Sequence, residues 1–210
     1  AQDYAEWGLL RLLAGLRYDT HESNLGNHGD AWSPRAGLAL VPIERLVLFG
    51  NLSRTAAPNF GYMQSRTEEL TSSWQADQAE AGLRLRLVET LWLSVAGFRI
   101  EQRDTPSLDD ATGFYVTEGE QAHRGIETAL SGNLARNWSL YLGYARTHTE
   151  TPDGTRPYDS QPPHAVTLQT MYRFAGGWLD ELAVGLGYRY KHGYDGTMRG
   201  AYVGPDYFFD

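Results

Sequence analysis

The 210-residue chain contains no cysteine, which excludes disulfides and thiolate metal centres and leaves the compartment open. It also lacks any run of about 18 uncharged apolar residues, and so has no membrane-crossing helix. That absence does not exclude a crossing strand, which needs only about 9 to 11 residues and turns half of them to lipid. A mean hydropathy below zero is therefore compatible with a membrane protein. No basic stripe is present, and 18 Lys and Arg stand against 26 Asp and Glu for a net charge of −8. Nucleic acid is excluded as a partner, because neutralising phosphates needs such a stripe. Helical periodicity is missing, and so are catalytic signatures. "GLGYRY" opens like a dinucleotide loop, but Tyr190 stands where the third glycine belongs and no helix follows. The chain opens at Ala1 without Met or a leader, as expected of a chain whose signal peptide has been removed or of a piece of a longer one.

What is present points to an all-β chain. There are 13 Tyr, 6 Trp and 23 Gly, a composition that favours strands over helices. Nine runs alternate with a period of two, at 10–19, 32–41, 45–54, 78–88, 91–102, 121–132, 138–149, 164–174 and 182–191. Short connections ("VPIE", "VET", "GNLARN", "AGGWLDE") take turns with long polar ones such as "THESNLGNHGDA", "TAAPNFGYMQSRTEELTSS" and "RDTPSLDDATGFYVTEGE". In an up-and-down chain this puts every long connection at one end, as in an outer-membrane barrel with tight turns on one side and long loops on the other. The runs are also longer than the 5 to 6 residues or so of an ordinary sandwich strand.

The faces agree. In "NWSLYLGYART", Trp138, Leu140, Leu142 and Tyr144 share one side and Ser139, Tyr141, Gly143 and Ala145 the other. Aromatics flanking aliphatics suit a membrane, where rings with a polar edge sit at the interface and aliphatics at the middle. Leu10, Leu12, Ala14, Leu16 and Tyr18 oppose Arg11, Leu13, Gly15 and Arg17, and Val184, Leu186, Tyr188 and Tyr190 oppose Gly185, Gly187, Arg189 and Lys191. The run "TLWLSVAGFRI" carries apolar groups on both sides and does not reveal its outward face.

Taken in order, "LLAGLRYD", "SPRAGLALVP", "LFGNLSRTAAPNF", "QAEAGLRLRL", "LSVAGFRIEQRD", "RGIETALSGNLARNWSLYLGYARTHTE", "PPHAVTLQTMYRF" and "VGLGYRY" resemble the barrel of TonB-dependent ferric-siderophore receptors across nearly the whole chain. The resemblance implies an antiparallel transmembrane β-barrel of 22 strands around an N-terminal plug. The 210 residues correspond to about nine or ten of those strands, a single segment 1–210 from the later part of the barrel that stops short of its final strands and carries no plug. It further implies an outer-membrane receptor that takes iron only as a chelated siderophore complex, with no cofactor of its own. Its partners would be the ferric siderophore, the surrounding outer-membrane lipid, and the TonB-ExbB-ExbD system, engaged through the plug.

In such a receptor, aromatics and cations of the long loops and upper lumen would catch the ferric complex, since rings stack on flat chelators and Arg pairs with their oxygens. The candidates are Trp32, Phe60, Tyr62, Arg66, Arg103, Tyr115, Arg156, Tyr158 and Tyr194. Arg17, Arg35, Arg84, Arg86, Arg173 and Arg189 form a candidate inward basic wall, to attract anions or dock the plug, with a solvated lumen paired to acids such as Glu127 as the plainer reading. His21, His28, His123, His148, His164 and His192 sit toward the long-loop end, but their spacing matches no compact metal motif. Two other classes compete with the receptor: a self-contained outer-membrane barrel of about ten strands, porin-like or enzymatic, and a soluble β-sandwich binding module.

Overall fold

The computed structural model describes residues 2–22, 28–58, 73–109, 113–154, 162–192 and 206–209. The strands are β1 (Gln2–Trp7), β2 (Leu10–Glu22), β3 (His28–Ile43), β4 (Leu46–Pro58), β5 (Ser73–Val88), β6 (Leu91–Asp109), β7 (Phe114–Ala135), β8 (Trp138–Glu150), β9 (His164–Arg173), β10 (Ala183–His192) and β11 (Asp206–Phe209). They form one 11-stranded sheet in sequence order, each strand antiparallel to the next. The nine alternating runs correspond to β2 through β10. Residues 8–9, 44–45, 89–90, 136–137 and 174–182 link the strands at one end, the last of these with a 3-10 turn at Gly177–Leu179. The ends of β2, β4, β6, β8 and β10 that lead into the long connections all lie at the other end.

The register shows why the alternation exists. Residues directly opposite in an antiparallel pair share a face, so one face can be followed from strand to strand. It carries Leu12, Leu38, Gly50, Ala81, Gly97 and Ile126 along one rung, and Leu130, Leu142, Leu168 and Tyr188 along a lower one. On this face the stretches 10–18, 32–40, 46–52, 79–85, 91–97, 126–132, 138–144, 166–172 and 184–190 hold no charged side chain. The exception lies on β1, where Asp3 stands beside Ala14, and nothing in the structure explains it. Tyr18, Trp32, Tyr144 and Tyr190 bound the charge-free band toward the long connections, and Trp7, Trp138 and Tyr172 toward the short turns. The band steps down the ladder from β2 to β10, as a membrane-level layer does when strands are tilted.

The same register settles "TLWLSVAGFRI". Leu93, Val95 and Gly97 lie on the Leu142 face, and Trp92, Ser94, Ala96 and Phe98 on the Gly143 face. The apolar groups on the second face have a local reason: their rings pack over glycines and cations. A Cβ at Gly125 would lie 2.7 Å from the Phe98 ring, and one at Gly82 would lie 2.8 Å from the Phe49 ring. The Arg86 guanidinium sits 5.7 Å from the Trp92 ring centroid. Aromatic cover of strand glycines pins register.

This single layer does not bury a protein core of its own. Ala31, Ala56, Ala96 and Thr149 are the buried residues among those described, while Leu12, Leu38, Leu52, Ile126 and Leu186 are exposed. Its accessible surface is 14536 Å², against about 9800 Å² expected of a compact soluble chain of this mass. With one sheet and, among the described residues, no second layer to cover it, the β-sandwich reading is overturned. Among the described residues the first and last strands also pair only with their sequence neighbours, so these eleven strands do not close on one another into a small barrel.

The hairpin β6–β7 departs from the sequence reading. "RDTPSLDDATGFYVTEGE" was expected to be a long loop, but β6 runs 19 residues and β7 runs 22. At 3.3 Å or so per residue, β6 is about 60 Å long, well beyond what a bilayer of about 30 Å requires. Beyond the charge-free band the apolar alternation ceases while backbone pairing continues. Bulges between Gln102 and Ser107 mark the change, with Asp104 at φ 56.

Candidate functional site

The residues expected to meet ligand divide by position. Phe60, Tyr62, Arg66, Arg156, Tyr158 and Tyr194 lie outside the described residues. Trp32, Arg103 and Tyr115 are on strands β3, β6 and β7 rather than on loops, because strand pairing runs past the apolar band. Trp32 and Arg103 share the Leu142 face. Trp32 is stacked at a tilt on Tyr18 with ring centroids 4.4 Å apart, which is the position of an interfacial aromatic. Arg103 pairs with Glu101 at 3.1 Å and with Asp77 at 3.7 Å. Neither therefore looks toward the Gly143 face, where a chelate inside a barrel would stand.

The six arginines expected to face inward do share the Gly143 face, but they do not form one wall. Arg17 pairs with Asp19 at 2.6 Å, and Arg35 beside it on β3 hydrogen-bonds Gln2. Arg84 and Arg86 sit together on β5, Arg84 with its guanidinium 5.9 Å from the Phe49 ring centroid and Arg86 within 3.7 Å of Glu44. Arg173 and Arg189 stand at opposite ends of the β9–β10 pairing. Three separated groups on β2–β3, β5 and β9–β10 replace the expected continuous basic surface. Among the described residues no group of three or more His, Asp or Glu side chains converges where a metal ion could sit. His123, on the Gly143 face, lies 2.9 Å from the Thr149 hydroxyl.

A different constellation emerges on the Leu142 face, immediately beyond the charge-free band. Arg54 stands opposite Asp77, Asp77 opposite Glu101, Arg99 opposite Arg124, and Arg124 opposite His148. Arg103, Arg146 and Glu150 complete a belt over five consecutive strands, β4 to β8. Arg54 donates to both Asp77 oxygens, at 2.6 and 2.9 Å, which holds that carboxyl below its ordinary range despite partial burial. Hydrogen bonds from Arg99 and then Arg103 lower Glu101, and His148 and then Arg124 lower Glu150. All three carboxylates thus stay ionised at neutral pH. Five arginines against three carboxylates leave the belt with two excess positive charges, in a chain whose net charge is −8.

Sequence reasoning missed this belt, although a signal for it exists. Where each outward run ends, the next residue of the same parity is charged: Leu52 is followed by Arg54, Ala79 preceded by Asp77, Gly97 followed by Arg99, Ile126 preceded by Arg124, and Tyr144 followed by Arg146. Only the register shows that these five positions are neighbours.

Comparison with known proteins fits this geometry. The family model for the TonB dependent receptor-like β-barrel matches residues 1–210. The metal-pseudopaline receptor CntO of Pseudomonas aeruginosa is 26% identical over 205 residues, covering 86% of this chain and 28% of its own length. The ferric-pyoverdine BN7/BN8 receptor of Pseudomonas putida is 24% identical over 159 residues, covering 75% of this chain and 19% of its own. Among solved structures, the ferric-catecholate import receptor Fiu of E. coli superposes with a TM-score of 0.73 at 20% identity, over 95% of this chain and 35% of that one. The ferripyoverdine receptor of the Pseudomonas aeruginosa outer membrane gives 0.73 at 19% identity, over 95% and 28%. The chain thus spans less than a third of the length of the CntO and BN7/BN8 receptors.

Proposed function

The chain belongs to the TonB-dependent receptor β-barrel family, and from that premise we propose that the protein containing it is an outer-membrane uptake receptor for a metal-loaded siderophore. The family's members are transport receptors rather than enzymes, and the relatives above carry receptor names. The observation that carries the proposal is the charge-free band crossing β2 to β10 with every long connection beyond one edge of it. Such a band suits lipid on the outside of a barrel and leaves the mixed Gly143 face for the lumen. In this reading the chelate is caught at the long-connection end, and the TonB-ExbB-ExbD system drives its release through a plug contributed by other parts of the protein. Iron enters as a chelate and not as a resident cofactor.

Recognition is assigned to the connections 59–72, 151–163 and 193–205, whose Tyr62, Arg66, Arg156, Tyr158 and Tyr194 supply stacking surface and fixed cationic forks for carboxylate, catecholate or hydroxamate oxygens. The test is binding of ⁵⁵Fe-loaded hydroxamate, catecholate and mixed chelates to the complete receptor, before and after all five are replaced by alanine. Affinity for whichever chelate binds is expected to fall at least tenfold while the barrel still migrates as a folded species before heating. Unchanged affinity in a folded barrel would move the site to other residues.

A further inference from the structure

We propose that the outward face of β4 to β8 is a binding site for a phosphorylated lipid of the outer leaflet, with its acyl chains in a furrow of small residues and its phosphate on Arg99, Arg124 and Arg146. This rests on the membrane reading above and assigns a second ligand to a surface that plays no part in chelate uptake.

Three observations converge on it. The first is shape. A furrow of about 1580 Å³ runs along the Leu142 face between two rungs of side chains. Gly50, Ala79, Ala81 and Gly97 leave it open in the middle, between walls that include Leu52 and Ile126. Its apolar part belongs to the charge-free band, so an acyl chain lying in it would replace contacts with bulk lipid by contacts with a fixed groove.

The second is where the furrow ends. Asp3 lies at its far end on β1, while toward β8 its lining passes from Gly97 and Ile126 to Arg99, Arg124 and Arg146, the first charged positions beyond the band, and on to His148 and His164. A lipid standing in the bilayer changes from hydrocarbon to headgroup at that same level. The third is electrostatic. Arg99 lies directly opposite Arg124 across β6–β7. Like charges facing each other across a pair are unfavourable, and an anion between them reverses the sign of that interaction. Arg99 and Arg124 each have a carboxylate, Glu101 at 2.8 Å and Glu150 at 3.5 Å. Each guanidinium carries five N–H donors, so one carboxylate does not exhaust either. Arg146 pairs with no carboxylate among the described residues. A phosphate, with several oxygens and up to two charges, matches this cluster better than a zwitterionic headgroup does.

The test is native mass spectrometry of the complete receptor released from nanodiscs of phosphatidylcholine containing a minor fraction of phosphatidic acid. Retention of phosphatidic acid over phosphatidylcholine is expected to exceed tenfold for the wild type and to fall to near unity in R99Q/R124Q/R146Q. R99K/R124K/R146K keeps the charge and should retain most of the preference, and R17Q/R35Q/R189Q, on the Gly143 face, should leave it unchanged. Gly97→Leu fills the furrow, and its Cβ meets nothing closer than the Gly125 carbonyl oxygen at 3.8 Å, so the barrel should fold while retaining several-fold less phosphatidic acid. A folded triple-glutamine variant with undiminished preference would overturn the proposal. So would displacement of the lipid by millimolar inorganic phosphate, which would make the cluster a plain anion site. Loss of the folded, heat-modifiable band in the wild-type chain would instead count against the membrane reading beneath it.

Discussion

Leu142→Arg is expected to lower the stability of the folded barrel in lipid by about 2–4 kcal/mol, whereas Gly143→Arg lowers it by no more than about 1 kcal/mol. The two positions are adjacent in sequence and at the same depth, so only the face distinguishes them. Leu142 lies between Leu130 and Leu168 on the charge-free face, and an arginine there has no partner and no water near the middle of the bilayer. Gly143 lies between Ala129 and Thr167 on the other face. The nearest atoms a Cβ there would meet are those of the Tyr141 side chain, from 3.0 Å, which can swing aside. Denaturant titration of both variants in the same lipid measures the difference, and similar penalties would remove the case for which face meets lipid.

Gly132→Val is expected to cost roughly 2–5 kcal/mol, the sum of backbone strain and overpacking. Gly132 has φ 138, and a Cβ built on it would lie 1.9 Å from the Thr90 carbonyl oxygen. That oxygen cannot retreat, since it accepts the Asn133 N–H at 2.7 Å while the Thr90 hydroxyl donates back to the Asn133 carbonyl at 2.9 Å. Gly132 directly precedes the register shift between Asn133 and Ala135 in the pairing of β7 with β8. Gly154, with φ 80 and nothing within 4 Å of its would-be Cβ, is the comparison. Gly154→Val should carry only the backbone part, about 1 to 2 kcal/mol. Equal losses at the two sites would show that the Thr90 contact is not a constraint.

Much of this architecture was legible because lipid and lumen impose opposite demands on alternate residues. "LYLGY" and "VGLGYRY" reveal both their strand and their face. The signal failed wherever that demand lapses. β1, QDYAEW, has alternation but no aliphatic series, and β11, DYFF, is too short to show one. The face of 91–97 was hidden because Trp92 and Phe98 bring apolar surface to the Gly143 side, over Arg86 and Gly125. The upper parts of β6 and β7 read as loop because the apolar alternation of the charge-free band stops before residues 103–109 and 114–120. For the site, parity placed Arg17, Arg35, Arg84, Arg86, Arg173 and Arg189 on one face, but their separation needed the register. The neighbourhood of Arg54, Asp77, Arg99, Arg124 and Arg146 likewise depends on successive strand pairings that join residues as far as 92 positions apart in the chain, which no local pattern encodes.

The most direct test of the lipid-facing band uses the absence of cysteine from these 210 residues. A single cysteine placed in turn at each position from 138 to 145 can carry a spin label in the complete receptor, reconstituted in lipid. Accessibility to oxygen, which concentrates in hydrocarbon, is compared with accessibility to a polar nickel chelate. Oxygen accessibility should be high at 138, 140, 142 and 144 and low at 139, 141, 143 and 145, with its maximum at 140 or 142. A flat profile, or the opposite phase with 141 and 143 facing hydrocarbon, would contradict the assignment of the Leu142 face to the membrane.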